Sequence, residues 1–260
     1  MSRLEGVFAR RNRKALVAYV TTGYPEVDIT LEVVPILAES GCDVIELGIP
    51  FSDPLADGTT IQEASSGALG QGVTPRTCLE IAHQLRRKVD VPLLFMTYYN
   101  PVLRFGLESF CTACSAAGVD GLIIPDLPPD EASDLDGLSG AQGLSLVYLL
   151  TPTSTRERIR LVARKSRSFI YLVSLLGVTG ARDNLPPDVE SFVQRVREQT
   201  DRPLCVGFGI GTPEQAQRVA RVADGVIVGS RLVQLIRDDA SPYPRVRSFV
   251  EELRAALDTS

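Results

Sequence analysis

Apolar runs of four to seven residues alternate with amphipathic stretches along the whole chain. The runs occupy 15–21, 44–48, 92–98, 121–124, 144–149, 169–173, 204–207 and 225–228. They are continuously apolar instead of alternating, the pattern of strands buried on both faces. Between them, apolar residues recur at helical spacing: Leu31, Val34 and Leu37; Leu79, Ala82 and Leu85; Phe110, Cys114 and Ala117; Ile159 and Val162. Thr155 before Arg156-Glu157, and Thr212 before Pro213-Glu214, mark helix starts. Gly41 and Gly118 mark helix ends. Eight such strands and at least eight helices in 260 residues predict an α/β fold, a single (β/α)8 TIM barrel spanning 1–260. An open doubly wound sheet is the rival. It is disfavoured by the strand count and by the lack of a glycine-rich turn after the first run.

Composition narrows the function. Hydrophobic residues make up 44% of the chain and the net charge is −5. The basic clusters, Arg86-Arg87-Lys88 and 156–165, fall on predicted helices and read as solvated faces, so neither nucleic acid nor an anionic membrane is an expected partner. No apolar run approaches the roughly 20 residues that span a bilayer. The N-terminus has no apolar signal region, and a cytoplasmic enzyme is expected. Cys111 and Cys114 form a Cys-x-x-Cys spacing, but mid-helix, with no second pair and no nearby histidine, so packing is the stronger reading. His83 is the one histidine. That excludes schemes needing two imidazoles and leaves acid–base chemistry to carboxylates, tyrosines or lysines.

In a barrel, chemistry collects where strands end. Glu46 closes the second apolar run, where burying an unpaired carboxylate costs about 2–7 kcal/mol or more. Asp57 follows eleven positions later, in a polar loop that also carries Asp53. Glu46, Tyr98, Asn100, Asp126 and Tyr171 all sit at strand ends and so converge on one mouth. Blander readings stand beside these. Glu46 can be satisfied by backbone donors, Asp53 and Asp57 can serve a turn or a helix cap, Asp126 can cap a loop, and Tyr171 can be core. Gly207-Phe208-Gly209-Ile210-Gly211 follows the seventh run, and Gly229-Ser230 follows the eighth and opens a short helix. Two glycine clusters on adjacent strand ends suit a phosphate cradled by backbone N–H groups and a helix N-terminus, although any one glycine can be a plain turn residue. The 174–188 loop is long for its kind, as functional loops often are.

The segment Glu46-Leu47-Gly48-Ile49-Pro50-Phe51-Ser52-Asp53-Pro54-Leu55-Ala56-Asp57-Gly58 closely resembles the signature of the tryptophan synthase α chain family. Thr22-Gly23-Tyr24-Pro25, Met96-Thr97-Tyr98-Tyr99-Asn100-Pro101, Pro125-Asp126-Leu127-Pro128, Gly177-Val178-Thr179-Gly180-Ala181-Arg182, Gly207-Phe208-Gly209-Ile210 and Val228-Gly229-Ser230 resemble its further loops in order and spacing.

The resemblance implies a lyase that cleaves indole-3-glycerol phosphate by a retro-aldol reaction to indole and glyceraldehyde 3-phosphate, in tryptophan biosynthesis. By the family's pattern Glu46 is the general acid–base, Asp57 accepts the indole N–H, and Tyr171 stands beside Glu46. Tyr19, Tyr98, Ile123 and Phe208 wall the indole pocket. Gly180, Gly209, Gly229 and Ser230 hold the phosphate at the loops after strands 6–8. Thr179 pairs with Asp57 across two closing loops, 53–60 and 174–188. No cofactor or metal is implied on this chain. The implied partner is a β chain carrying pyridoxal phosphate, in an α2β2 complex. Three departures bear on loop closure: Thr59 follows Gly58 where proline is common, Ala18-Tyr19 stands in place of Pro-Phe, and Leu175-Leu176 fills a more polar stretch. A stand-alone lyase releasing free indole is therefore the alternative. A scaffolding barrel and a sugar-phosphate isomerase are more distant readings.

Overall fold

The computed structural model describes residues 2–10, 13–173, 189–207 and 209–259. Its strands are β1 (Ala15–Thr21), β2 (Val44–Gly48), β3 (Leu93–Met96), β4 (Gly121–Ile123), β5 (Ser145–Val147), β6 (Leu149–Leu150), β7 (Ile170–Val173), β8 (Leu204–Gly207) and β9 (Gly225–Val228). They form one parallel sheet in the order β5-β4-β3-β2-β1-β9-β8-β7-β6. Since β5 and β6 are neighbours in the chain and lie at the two ends of that order, the sheet curls into a nearly closed barrel. The expected fifth strand, 144–149, is thus two pieces flanking Tyr148. The piece before Tyr148 pairs with β4 and the piece after it with β7. The Tyr171 N–H donates to the Tyr148 carbonyl at 3.0 Å across this seam.

The strands are apolar on both faces because the barrel has two cores. Leu16, Ala18, Ile45, Leu47, Phe95, Leu122 and Val206 face outward and pack under the helices. Val17, Tyr19, Val44, Leu94, Ile123, Tyr171, Cys205 and Ile227 fill the interior. A short helix, Arg3–Phe8, seals the N-terminal end of the barrel with Leu4 and Val7, and its Phe8 ring lies 5.4 Å from that of Phe169. The start signals are used as expected: the Thr155 and Thr212 hydroxyls accept the N–H of Arg158 and Gln215. Gly41 and Gly118 end their helices at φ +112° and +79°, where a side chain would be strained. Among the described residues, no helix is long and apolar enough to cross a membrane.

One device recurs three times on the N-terminal rim. Asp43, Asp120 and Asp224 each stand just before a strand. Each donates its N–H to the carbonyl of Leu16, Leu93 or Leu204, at 2.8, 2.7 and 2.9 Å. In return the carboxylates accept the N–H of the same leucines at 3.0, 3.0 and 2.8 Å. Arginines complete the staples. Asp43 is bound by Arg254, Arg13 and Arg10, Asp120 by Arg86 and Arg3, and Asp224 by Arg197. Arg86 is therefore committed to the barrel floor, contrary to its reading as part of a solvated face.

Candidate active site

The opposite rim carries the expected chemistry. Glu46 lies on β2 in register with Tyr19 of β1 and Leu94 of β3, and its side chain points into the barrel. It is fully buried, and neither carboxyl oxygen has a hydrogen-bond partner among the described residues. Desolvation alone pushes its pKa up to about 8, so near neutral pH it is an uncharged acid. The reading in which backbone donors satisfy Glu46 does not fit this geometry.

Asp57 is also buried, but differently. The Tyr98 hydroxyl donates to its Oδ2 at 3.0 Å. Burial raises its pKa to about 6, with the Tyr98 hydrogen bond opposing the rise, so the carboxylate form prevails at neutral pH. Asp57 does not cap the following helix, Thr59–Gly70, which starts from Gly58 without a side-chain cap. The turn role belongs to Asp53, an exposed residue whose carbonyl accepts the Leu55 N–H at 2.9 Å. Asp57 is fixed through its backbone, where its carbonyl accepts from Gln62 Nε2 at 2.9 Å.

Two tyrosines flank the carboxyls. Tyr19 of β1 is in register with Glu46, and Tyr171 fills the same barrel interior. Both phenols are held protonated, chiefly by burial, with the charges of Glu46 and Asp57 adding to the rise. A Cβ on Gly48 would overlap the Tyr19 hydroxyl, and one on Gly207 that of Tyr171. Glycine at these two strand ends gives the rings room to lie across the neighbouring strand. The Tyr19 hydroxyl also lies 3.3 Å from Thr21 Oγ1. Ile123 is fully buried in the interior core below. Asn100 is exposed, and Asp126 takes the capping role, accepting the Tyr99 N–H at 2.8 Å where the helix Tyr99–Phe105 begins.

The glycine clusters lie on the same rim. The eighth apolar run is β9, and Gly229 is the N-cap of the helix Ser230–Asp238, with Ser230 as its first residue. Gly209 adopts φ +88° just after β8. Gln234 Nε2 of the Ser230–Asp238 helix donates to Thr60 Oγ1 at 3.3 Å, linking this side of the rim to the segment that carries Asp57. Phe208, Thr179, Gly180 and the rest of the 174–188 loop lie outside the described residues, and with them the expected Asp57–Thr179 pair.

Against this geometry, a sequence model described as tryptophan synthase α chain matches residues 7–257. The chain belongs to the tryptophan synthase α chain family. A relative of that name from Dehalococcoides mccartyi is 57% identical over 258 residues, covering 99% of this chain and all of the relative. Another, from Geobacter sulfurreducens, is 49% identical over 99% of each chain. The solved tryptophan synthase of Mycobacterium tuberculosis superposes with a TM-score of 0.92 at 42% identity, covering 99% of this chain and 98% of that one. The solved α subunit from Legionella pneumophila gives 0.93 at 34% identity, with both chains fully covered. As a tryptophan synthase α chain, the protein is the lyase that cleaves indole-3-glycerol phosphate in tryptophan biosynthesis.

Proposed function

We propose that Glu46 and Asp57 perform this cleavage as a pair held in opposite protonation states, with residues 1–260 acting as one domain. The observation that carries the reading is the contrast in the mouth: Glu46 is buried with no hydrogen-bond partner among the described residues while Asp57 accepts from Tyr98, and burial pushes their pKa values up to about 8 and about 6. Neutral Glu46 gives its proton to the indole carbon that bears the glycerol chain. The ring becomes cationic, and the Asp57 carboxylate, accepting the indole N–H, stabilises that charge. Glu46, now a carboxylate, takes the proton of the adjacent glycerol hydroxyl. The O–H electrons form the aldehyde, the carbon–carbon bond breaks, and its electron pair returns to the ring as indole. Glu46 ends the cycle protonated, as it began. Tyr171 positions the substrate beside it. Tyr19, Tyr98, Ile123 and Phe208 enclose the ring. The backbone N–H groups of Gly180, Gly209, Gly229 and Ser230 hold the phosphate, at a rim where a helix N-terminus adds a favourable dipole.

We also infer that the protein works with a pyridoxal-phosphate β chain in an α2β2 complex. Two exposed leucines on the catalytic rim support this. Leu55 is 88% exposed in the Asp57 loop, and Leu103 is 54% exposed in the helix after β3. Covering both would remove apolar surface from water, which favours association with a protein partner.

Indole release from indole-3-glycerol phosphate, followed across pH, tests the pair. The acid form of one group and the base form of the other are needed together. kcat/KM is therefore expected to fall below about pH 6 as Asp57 protonates and above about pH 8 as Glu46 ionises. A profile flat from pH 5 to 9 would overturn the assignment.

A further inference from the structure

The Tyr98 hydroxyl stands between two parts of the loop that carries Asp57. It donates to Asp57 Oδ2 at 3.0 Å and accepts the Ala56 N–H at 2.9 Å. One oxygen thus binds both the reactive carboxylate and the backbone just before it. The ring is buried, 5% exposed, and lies 5.3 Å from that of Phe51 at the start of the same loop. Tyr98 itself is fixed, since the next residue, Tyr99, opens a helix whose first N–H is capped by Asp126. The loop, by contrast, carries Leu55 almost fully in water. Gln62 holds the Asp57 backbone, but the Asp57 carboxylate itself is tied to the end of β3 through a single phenol.

We propose that Tyr98 is a positioning residue for cleavage: its hydroxyl fixes the aim of Asp57 and couples the ionised state of that carboxylate to the seated loop. This rests on Asp57 taking part in the reaction. The coupling is physical. A phenol donates a stronger hydrogen bond to a carboxylate than to a carboxylic acid, so whatever stabilises the charged Asp57 also holds Ala56 and the loop in place. Burial and the neighbouring Asp57 charge keep the Tyr98 phenol protonated, so it remains a donor throughout the working range. The titratable groups around the pair are Tyr19 and Tyr171, which sense the Asp57 charge, Glu46, which acts on the same two phenols, and Asp126, which acts on Tyr98. Each phenol stays neutral near pH 7, so Asp57 is the group on this loop whose charge changes near pH 6.

The test compares Tyr98→Phe, Asp57→Asn and the double variant, using indole release, pH profiles and thermal melts. Tyr98→Phe keeps the ring and its contact with Phe51, so the fold is expected to survive. Its kcat/KM is expected to drop about tenfold or more, the scale of a hydrogen bond to a charged group. The acid limb of its profile should move to higher pH, because the bond that favours ionised Asp57 is gone. The double variant should be no slower than Asp57→Asn alone. Losses that multiply in the double variant, or an acid limb that stays in place, would overturn the positioning role. If Asp57→Asn by itself keeps wild-type turnover, the fault lies with the underlying reading of Asp57. If Tyr98→Phe loses activity only in proportion to a lowered melting temperature, the hydroxyl is structural and the proposal fails.

Discussion

The two rims of the barrel treat their carboxyls in opposite ways. On the N-terminal rim, Asp43, Asp120 and Asp224 are each satisfied twice, by a backbone N–H and by arginine. On the C-terminal rim, Glu46 is left without a partner among the described residues and Asp57 is held by one phenol. The same functional group serves as a clamp at one end and as a reagent at the other. The difference lies in what surrounds it. A carboxylate whose oxygens are taken up by a backbone N–H and by arginine ties two elements together. One that only apolar walls enclose is destabilised as an anion and is poised to exchange its proton.

The largest effects separate the rims most sharply. Glu46→Gln is expected to lower turnover by about 10²–10⁴ and yet raise stability. Between pH 4.5 and about 8 the folded protein retains a proton on Glu46 that the unfolded chain has lost, so this group destabilises the fold increasingly as pH rises through that window. At pH 7 removing it should add on the order of 3 kcal/mol, read as a higher melting temperature, and the gain should vanish near pH 4. A variant that melts lower at pH 7 would mean that Glu46 has a stabilising partner after all.

Asp43→Ala should do the reverse. It leaves the Leu16 N–H unpaired and takes one carboxylate from the buried guanidinium of Arg254, which keeps Asp258 and the Lys14 carbonyl. The loss is about 1–3 kcal/mol by denaturant melts, while turnover per folded molecule stays unchanged. A loss of activity at full folding would mean that the N-terminal rim also steers the chemistry. The smallest effect belongs to an exposed arginine of the staples. The Arg3 side chain is 54% exposed, so Arg3→Ala should cost about 0–1 kcal/mol, because Arg86 still binds Asp120.

Most of the fold was legible because continuous apolar runs mean strands buried on both faces. The position of Glu46 was legible because a lone carboxylate in such a run is rare. Three features were harder to see. The break at Tyr148 was hidden because its apolar run is unbroken; the interruption comes from barrel closure, which local pattern does not encode. Tyr98 read as a pocket wall, since nothing in the sequence says that its hydroxyl folds back onto the Asp57 loop. The rim staples were missed although a signal existed. Gly41-Cys42-Asp43, Gly118-Val119-Asp120 and Val222-Ala223-Asp224 each place an aspartate directly before an apolar run. The partner of each aspartate is an arginine distant in sequence, so Arg86 by itself reads as surface charge.

The short helix that plugs the barrel floor precedes β1 in the chain, yet its seat includes Phe169, just before β7. Leu4 and Val7 therefore stay uncovered until the barrel has closed at least as far as Phe169. Their docking is one of the longest-range events in the molecule, and such contacts slow folding. Trimming this helix should leave the reactive mouth intact and act first on how the newborn chain matures, through a floor left open to water.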